Sequence, residues 1–313
     1  LLYWLRAVFM KKKNSIIFLV SILFLVSGGL LIWTSFSART HPEPAPVKFD
    51  GGHALQDVYH QTELGPRIPD SNAHAQVRVW MQEELEAAGW QVDVQAFEKF
   101  GHKGYNLIAS HGEDEPEIIL GAHYDSRIYA DHDPDVEKRD QAVLGANDGA
   151  SGVAILLELA RKIPAQQPPP YSSIWLVFFD LEDNGNIPSW EWILGSQAFV
   201  DGYTLNPEAV VILDMIGDAD LNIYLEKNSN PELRAEIWEQ AAALGYESIF
   251  IPQEKFSMLD DHTPFLEAGM PAIDIIDFDY PHWHTTEDTA DKISEESLQI
   301  VGDTILSWLK NRR

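Results

Sequence analysis

The 313-residue chain contains no cysteine. That excludes a disulfide and a lipid carried on a cysteine thiol, so a fold outside the cytoplasm must rely on its core and on any bound metal. Basic residues are scarce as well: 22 Lys and Arg stand against 49 Asp and Glu, for a formal net charge of −27. A surface of that sign repels nucleic-acid phosphates and offers no basic patch to anionic lipid, and much of it serves solubility. No internal repeat is present. What the chain does have is 45% hydrophobic residues and ten tryptophans, enough for one large packed core.

One long apolar run stands apart from that core. Ile16 to Trp33 is interrupted only by Ser21, Ser27, Gly28 and Gly29 and follows Lys11, Lys12 and Lys13. It has the length of about one bilayer crossing, with the lysines expected on the cytoplasmic side. Met10 directly precedes the lysines and is a candidate start. The expected organisation is a membrane signal anchor or signal peptide over residues 1–36, a proline-bearing linker over 37–50 and a catalytic domain over 51–313. Ser35, Ser37 and Ala38 offer processing sites if the segment is cleaved. Either version puts the domain outside the cytoplasm, anchored in the membrane or released.

Within 51–313, strand and helix patterns alternate. Ser71 and Asn72 precede a helix to about Ala88, ended by Gly89, with Val77, Trp80, Met81 and Leu85 at helical spacing. Strands are expected at 92–97, 105–109 and 117–121, and a helix at 152–162. The runs 174–179, 210–213 and 272–276 lack polar alternation, as strands buried on both faces do; 222–225 is a further candidate. Asn230 followed by Pro231 starts a helix to about Leu244, and Ser294 with Glu295 and Glu296 starts the last one, ending near Lys310. The expected fold is a single three-layer α/β/α domain with a mostly parallel mixed sheet.

Against that pattern, acids and histidines recur just past the apolar runs: His123 and Asp125 in GAHYDS, Asp148 in GANDGASG, Glu182 and Asp183 in FFDLED, Asp214 in VILDMIG and His284 in HWHT. The carboxyl ends of parallel strands converge on one crevice, so such a set reads as a metal site. His123 and Asp125 are expected in the turn after a strand ending at 121–122, where Asp125 either ligates or holds the imidazole. Asp148 precedes a helix among small residues, as a ligand or as an acidic N-cap. Two adjacent carboxyls, Glu182 and Asp183, are costly to bury without a cation or proton between them. One can ligate while the other moves a proton.

These motifs, with GPRIPDS, LGSQAF, DDHTPFLEAGMPA and WHT, resemble the zinc aminopeptidase superfamily from about His53 to the C-terminus, and within it the bacterial glutaminyl cyclases. The resemblance implies one Zn²⁺ on Asp148, Asp183 and His284, with Glu182 as general acid and base. Asp214 and Asp261 would join a hydrogen-bonded network, and Trp283, Trp190 and Trp192 would wall the substrate glutamine. The implied substrates are peptide or protein N-termini. Asp183 departs from the Glu-Glu pair of animal cyclases, so it must sit closer to the metal. A dinuclear zinc aminopeptidase is the rival, with a second ion on His123 and Asp214 and Asp148 bridging. A non-catalytic ectodomain is disfavoured because every ligand is retained. His123 either contacts metal or supports Asp148, and His262 either joins the site or caps a helix begun by Thr263 and Pro264.

Overall fold

The computed structural model describes residues 47–112, 115–165 and 173–312, so the apolar run at 16–33 and its basic flank lie outside the described residues. Among the described residues no helix is long and apolar enough to cross a membrane. The folded unit begins at Val47, inside the segment expected as linker. Phe49 is buried there, its ring filling the space a side chain at Gly302 would need, and Asp50 caps the first helix by accepting from His53 N at 3.0 Å.

The elements in chain order are α1 (Gly51–Glu63), α2 (Asn72–Ala87), β1 (Gln91–Lys99), β2 (His102–Gly112), β3 (Ile118–His123), α3 (Ala150–Lys162), β4 (Ser173–Phe179) and α4 (Leu194–Gly202). They continue with β5 (Ala209–Asp214), β6 (Ile223–Leu225), α5 (Pro231–Ala243), β7 (Phe250–Glu254), α6 (Thr263–Glu267), β8 (Ala272–Ile276) and α7 (Glu295–Asn311). The main sheet has the order β1-β2-β4-β3-β5-β8; β4, β3, β5 and β8 run parallel, and β1 and β2 form an antiparallel edge. Strands β6 and β7 pair separately.

The central strands are apolar throughout because alternate residues feed two cores. Ile118, Leu120, Ile174, Leu176, Phe178, Val211 and Leu213 pack with α1, α3 and α7 on one face. Ile119, Val177, Phe179, Val210 and Ile212 pack with Phe199 of α4 and Phe265 of α6 on the other. Helices on both faces of a mostly parallel sheet make the expected α/β layering. The caps read from sequence operate: Ser71 accepts from His74 N, Asn230 from Glu232 N and Leu233 N, and Ser294 from Glu296 N and Ser297 N.

Some boundaries differ from expectation. Strand β3 continues through His123, which pairs in register with Phe179, so the histidine is the last strand residue and only Asp125 lies in the turn. Helix α3 starts at Ala150, and its cap is Gly149 with φ of 92° and no side-chain cap bond; Asp148 is therefore not an N-cap and its carboxyl is free for other work. His262 precedes α6 with helical dihedrals and makes no side-chain cap bond. Helices α1 and α4 and strand β7 were not expected from the sequence pattern.

Candidate metal centre

The register of the parallel strands assembles the site. His123 closes β3 opposite Phe179 of β4, and Asp214 closes β5 opposite Ile276 of β8, so the segments after β3, β4 and β5 leave the sheet side by side. Asp148 arrives from the turn before α3, and His284 from the loop between β8 and α7. Two triads of potential ligand atoms result, each within 4.8 Å: Asp148, Asp183 and His284, and His123, Asp148 and Asp214. Asp148 belongs to both, and all five residues are buried.

The triads differ in how their atoms are used. In the second, His123 Nε2 lies 3.1 Å from Asp148 Oδ1 and 3.2 Å from Asp214 Oδ1. In the first, His284 Nε2 is 2.8 Å from Asp183 Oδ1 and 3.6 Å from Asp148 Oδ2. Asp148 Oδ2 and Asp183 Oδ2 are buried without a hydrogen-bond donor among the described residues. Buried anionic oxygens without a donor are costly, and a cation is what such a pair accommodates. Two carboxylates and an imidazole are also a donor set suited to zinc.

Electrostatics follow from burial. Desolvation raises Asp183 well above the usual carboxyl range, and the Asp148 charge raises it further. Burial also opposes ionisation of Asp148, but the hydrogen bond and charge of His123 outweigh it and leave the pKa lowered. His284 is pushed down to about 3 by burial, which keeps the ring neutral, as a metal ligand requires. Glu182 is raised well above its ordinary value by burial, then by Asp260, Asp183 and Asp261. Asp214 rises to about 7, and Asp261 well above normal, for the same first reason.

Behind the ligands sit residues that hold them. Asp125 is fully buried and accepts from Glu182 N at 3.0 Å, Asp183 N at 3.3 Å and Asn184 Nδ2 at 3.4 Å, while its Oδ1 lies 3.5 Å from His123 Nδ1. Asp288 accepts from Asn147 N, Asp148 N and the Tyr280 hydroxyl, fixing the Asp148 turn. The buried Arg67 donates to the carbonyls of Tyr124, Leu144 and Gly145 beneath that turn. Leu181, Met215 and His284 have φ of 59°, 47° and 57°, each at or beside a site residue. Left-handed backbone at non-glycine residues is unfavourable and persists where surrounding contacts over-determine it. Neither was assigned a role from sequence: nothing in the local pattern separates Asp288 from a surface charge, whereas Arg67 lies within GPRIPDS, one of the motifs that carry the resemblance.

The tryptophans divide. Trp283 stacks on its neighbour His284 at 3.8 Å, and Trp192 lies parallel to the same ring at 5.9 Å. Trp190 stacks instead on His102 at 3.5 Å, at the turn joining β1 and β2. Asp261 is buried with both carboxyl oxygens lacking donors among the described residues. His262 points its Nε2 at Glu226 Oε2, 3.4 Å away, and its Nδ1 toward Asp274 Oδ2 at 3.9 Å, so it belongs to a buried acidic network behind the site.

Known proteins resemble this chain in sequence and fold. A glutaminyl-peptide cyclotransferase of Drosophila melanogaster is 28% identical over 85% of this chain and 84% of its own length. The crystal structure of Bacteroides thetaiotaomicron glutaminyl cyclase bound to N-acetylhistamine superposes with a TM-score of 0.80 at 34% identity, covering 85% of this chain and 99% of that one. A Zn-dependent exopeptidase from Parabacteroides distasonis superposes with a TM-score of 0.79 at 32% identity, covering 85% and 100%. Residues 106–309 match the model of Peptidase family M28, and the chain belongs to that family of enzymes.

Proposed function

We propose that this protein is a zinc-dependent glutaminyl-peptide cyclotransferase, converting N-terminal glutamine of peptides or proteins to pyroglutamate with release of ammonia. The observation that carries this reading is the inequality of the triads. The donor-free oxygens belong to Asp148 and Asp183 beside His284, whereas His123 Nε2 is engaged with both Asp214 Oδ1 and Asp148 Oδ1. That arrangement suits one ion, with His123 and Asp214 supporting it. The similarity to glutaminyl cyclases at about a third identity adds weight.

Asp148, Asp183 and His284 would hold the zinc, which supplies Lewis acidity to the side-chain amide carbonyl of the substrate. The nucleophile is the substrate's own α-amine, so no water needs activation. Glu182 takes a proton from that amine as the bond from nitrogen to the side-chain carbonyl carbon forms. It then gives the proton to the amide nitrogen as the old carbon–nitrogen bond breaks and ammonia leaves. Its raised proton affinity suits a group that must hold the proton between these steps. Asp214 and Asp261 orient Glu182 and the reacting nitrogen, and Trp192 and Trp283, flanking His284, exclude water around the glutamine methylenes.

A dinuclear aminopeptidase is the second reading, favoured by one specific observation: Asp148 is shared by both triads, as a bridging carboxylate is. Metal content and product identity separate the two. One tightly held zinc per chain and conversion of a Gln-initiated peptide without cleavage support the cyclase. Two metals and free N-terminal amino acids from ordinary peptides refute it.

A further inference from the structure

His284 has two ring nitrogens, and only Nε2 faces Asp148 and Asp183. Its Nδ1 is buried without a hydrogen-bond partner among the described residues, and a nearby carboxylate on that side is Asp131, with Oδ1 at 3.7 Å. Asp131 is not free to wander. Arg127 grips it with two parallel hydrogen bonds, Nε to Oδ1 and Nη2 to Oδ2, both 2.7 Å. Such a fork is the strongest and most directional ion-pair geometry available to a carboxylate.

The same guanidinium reaches into the candidate metal centre from below. Arg127 Nη1 donates to Asp183 O at 2.7 Å and lies 4.0 Å from Asp183 Oδ1, and Nη2 donates to Gly185 O at 3.2 Å. Its carbon lies 5.1 Å from the ring centre of Trp192, the tryptophan parallel to His284. The next residue along, His132, donates its backbone N–H to His284 O at 3.2 Å and sets its ring edge-on to Trp283 at 4.6 Å. The segment 127–132 therefore contacts His284 through its backbone, the backbone of Asp183, and both flanking tryptophans.

We propose that Arg127 and Asp131 form a positioning clamp for the metal centre. Asp131 receives the Nδ1–H of His284, fixing the tautomer that leaves the Nε2 lone pair facing Asp148 and Asp183, while Arg127 locks Asp183 and Trp192 to the same support. Metal-binding histidines depend on such an outer carboxylate for orientation and basicity, and its loss weakens metal binding by about 10–100-fold. With both Asp131 oxygens held by Arg127, the 0.7–0.9 Å or so that separates 3.7 Å from an ordinary hydrogen bond is a small shift of the His284 ring, whose Nε2 end lies against Asp183. The clamp rests on the zinc reading of the site, and holds equally for cyclase or aminopeptidase.

The test measures zinc affinity by chelator competition in wild type, Asp131→Ala, Asp131→Asn and Asp131→Glu, together with the visible spectrum of the cobalt-substituted proteins and the melting of the metal-free proteins. Asp131 is partly exposed but pairs with the buried Arg127, so its removal is expected to lower metal-free melting in the Ala and Asn variants; at a temperature where every metal-free protein is folded, zinc binding is expected to weaken about tenfold and the cobalt bands to shift. Asp131→Glu, which keeps the charge, should recover most of that loss; Asp131→Asn should not. Zinc affinity within twofold of wild type in Asp131→Ala and Asp131→Asn, with unaltered cobalt bands, overturns the clamp. A wild-type protein that holds no zinc overturns the metal reading beneath it, and a protein that holds zinc yet fails to cyclise glutamine leaves the clamp standing while removing the cyclase.

Discussion

Asp125 touches neither substrate nor the donor-free oxygens, yet the geometry makes it the residue on which the Glu182–Asp183 pair depends. Replacing it with asparagine keeps the shape and removes one acceptor. If the remaining oxygen stays on Glu182 N, the new NH₂ faces Asp183 N and Asn184 Nδ2, both donors, at 3.3 and 3.4 Å. A hydrogen bond to a charged group is worth about 1.5–3 kcal/mol, and a buried donor left unmade costs about 1–3 kcal/mol. The expected loss for Asp125→Asn is therefore about 3–5 kcal/mol. In a domain of this size each kcal/mol moves the melting temperature by about 2–4 °C, so calorimetry of the metal-free protein should show a fall of roughly 6–20 °C. Zinc affinity should fall too, because Asp183 loses the bond that fixes its backbone. If the variant melts within about 2 °C of wild type and binds zinc as tightly, Asp125 is not the anchor of this turn and the account of how the acids are held is wrong.

Three further outcomes follow from other parts of the structure. Glu182→Gln should retain zinc and fold normally while kcat falls about 10²–10⁴-fold, the range for losing a general acid or base; a fully active variant removes Glu182 from the proton path. Gly185→Ala should raise KM for Gln-initiated peptides about tenfold with zinc content unchanged, because the added methyl would lie 2.1 Å from the Trp192 ring and must displace that wall; unchanged KM would argue that Trp192 does not meet substrate. Glu226→Gln should destabilise the fold at pH 7 by about 1.5–3 kcal/mol, since Glu226 accepts from Ser229 N, Ser229 Oγ and Met258 N. Burial alone would raise Glu226, but the His262 ring 3.4 Å away and hydrogen bonds from the backbone and Ser229 lower it to about 2. With the folded pKa depressed, its contribution is present above the unfolded value and lost as pH falls through about 2, so urea titrations of wild type and variant should converge in acid. A gap that stays constant from neutral pH to below pH 3 would contradict that assignment.

The framework of the candidate site was legible because two simple rules act strongly here. A strand buried on both faces has no polar alternation, and 174–179, 210–213 and 272–276 lie in β4, β5 and β8. The carboxyl ends of parallel strands share one edge, so acids and histidines just past those runs had to meet. Elements without such signals were not legible. Helix α1 opens on two glycines, α4 is entered through Ile193 at φ of 56° with no side-chain cap, and β7 carries Pro252 and, among the described residues, pairs only with the short β6. The supporting residues were opaque for another reason: Asp288 reaches Asp148 N across 140 positions and Arg67 reaches Gly145 O across 78, and only tertiary approach brings them there.

The FFDLED segment shows where residue type stops predicting role. Its three acids look equivalent on paper, and strand alternation would put Asp180 and Glu182 on the same side. The strand ends at Phe179, however, and Leu181 takes a left-handed φ of 59°, which breaks the alternation. Asp180 turns inward, with His74 Nε2 at 2.7 Å and the Tyr105 and Leu181 N–H groups donating to it, and becomes a structural anchor between α2, β2 and β4. Glu182 and Asp183 are thereby delivered past the sheet edge with their backbone N–H groups on Asp125, leaving one side chain beside His284 and Asp148 and the other among Asp260 and Asp261. The chemistry assigned to the pair thus depends on a leucine in an unfavourable conformation. The neighbouring contacts that hold Leu181 there are as much a part of the site as the carboxylates they aim.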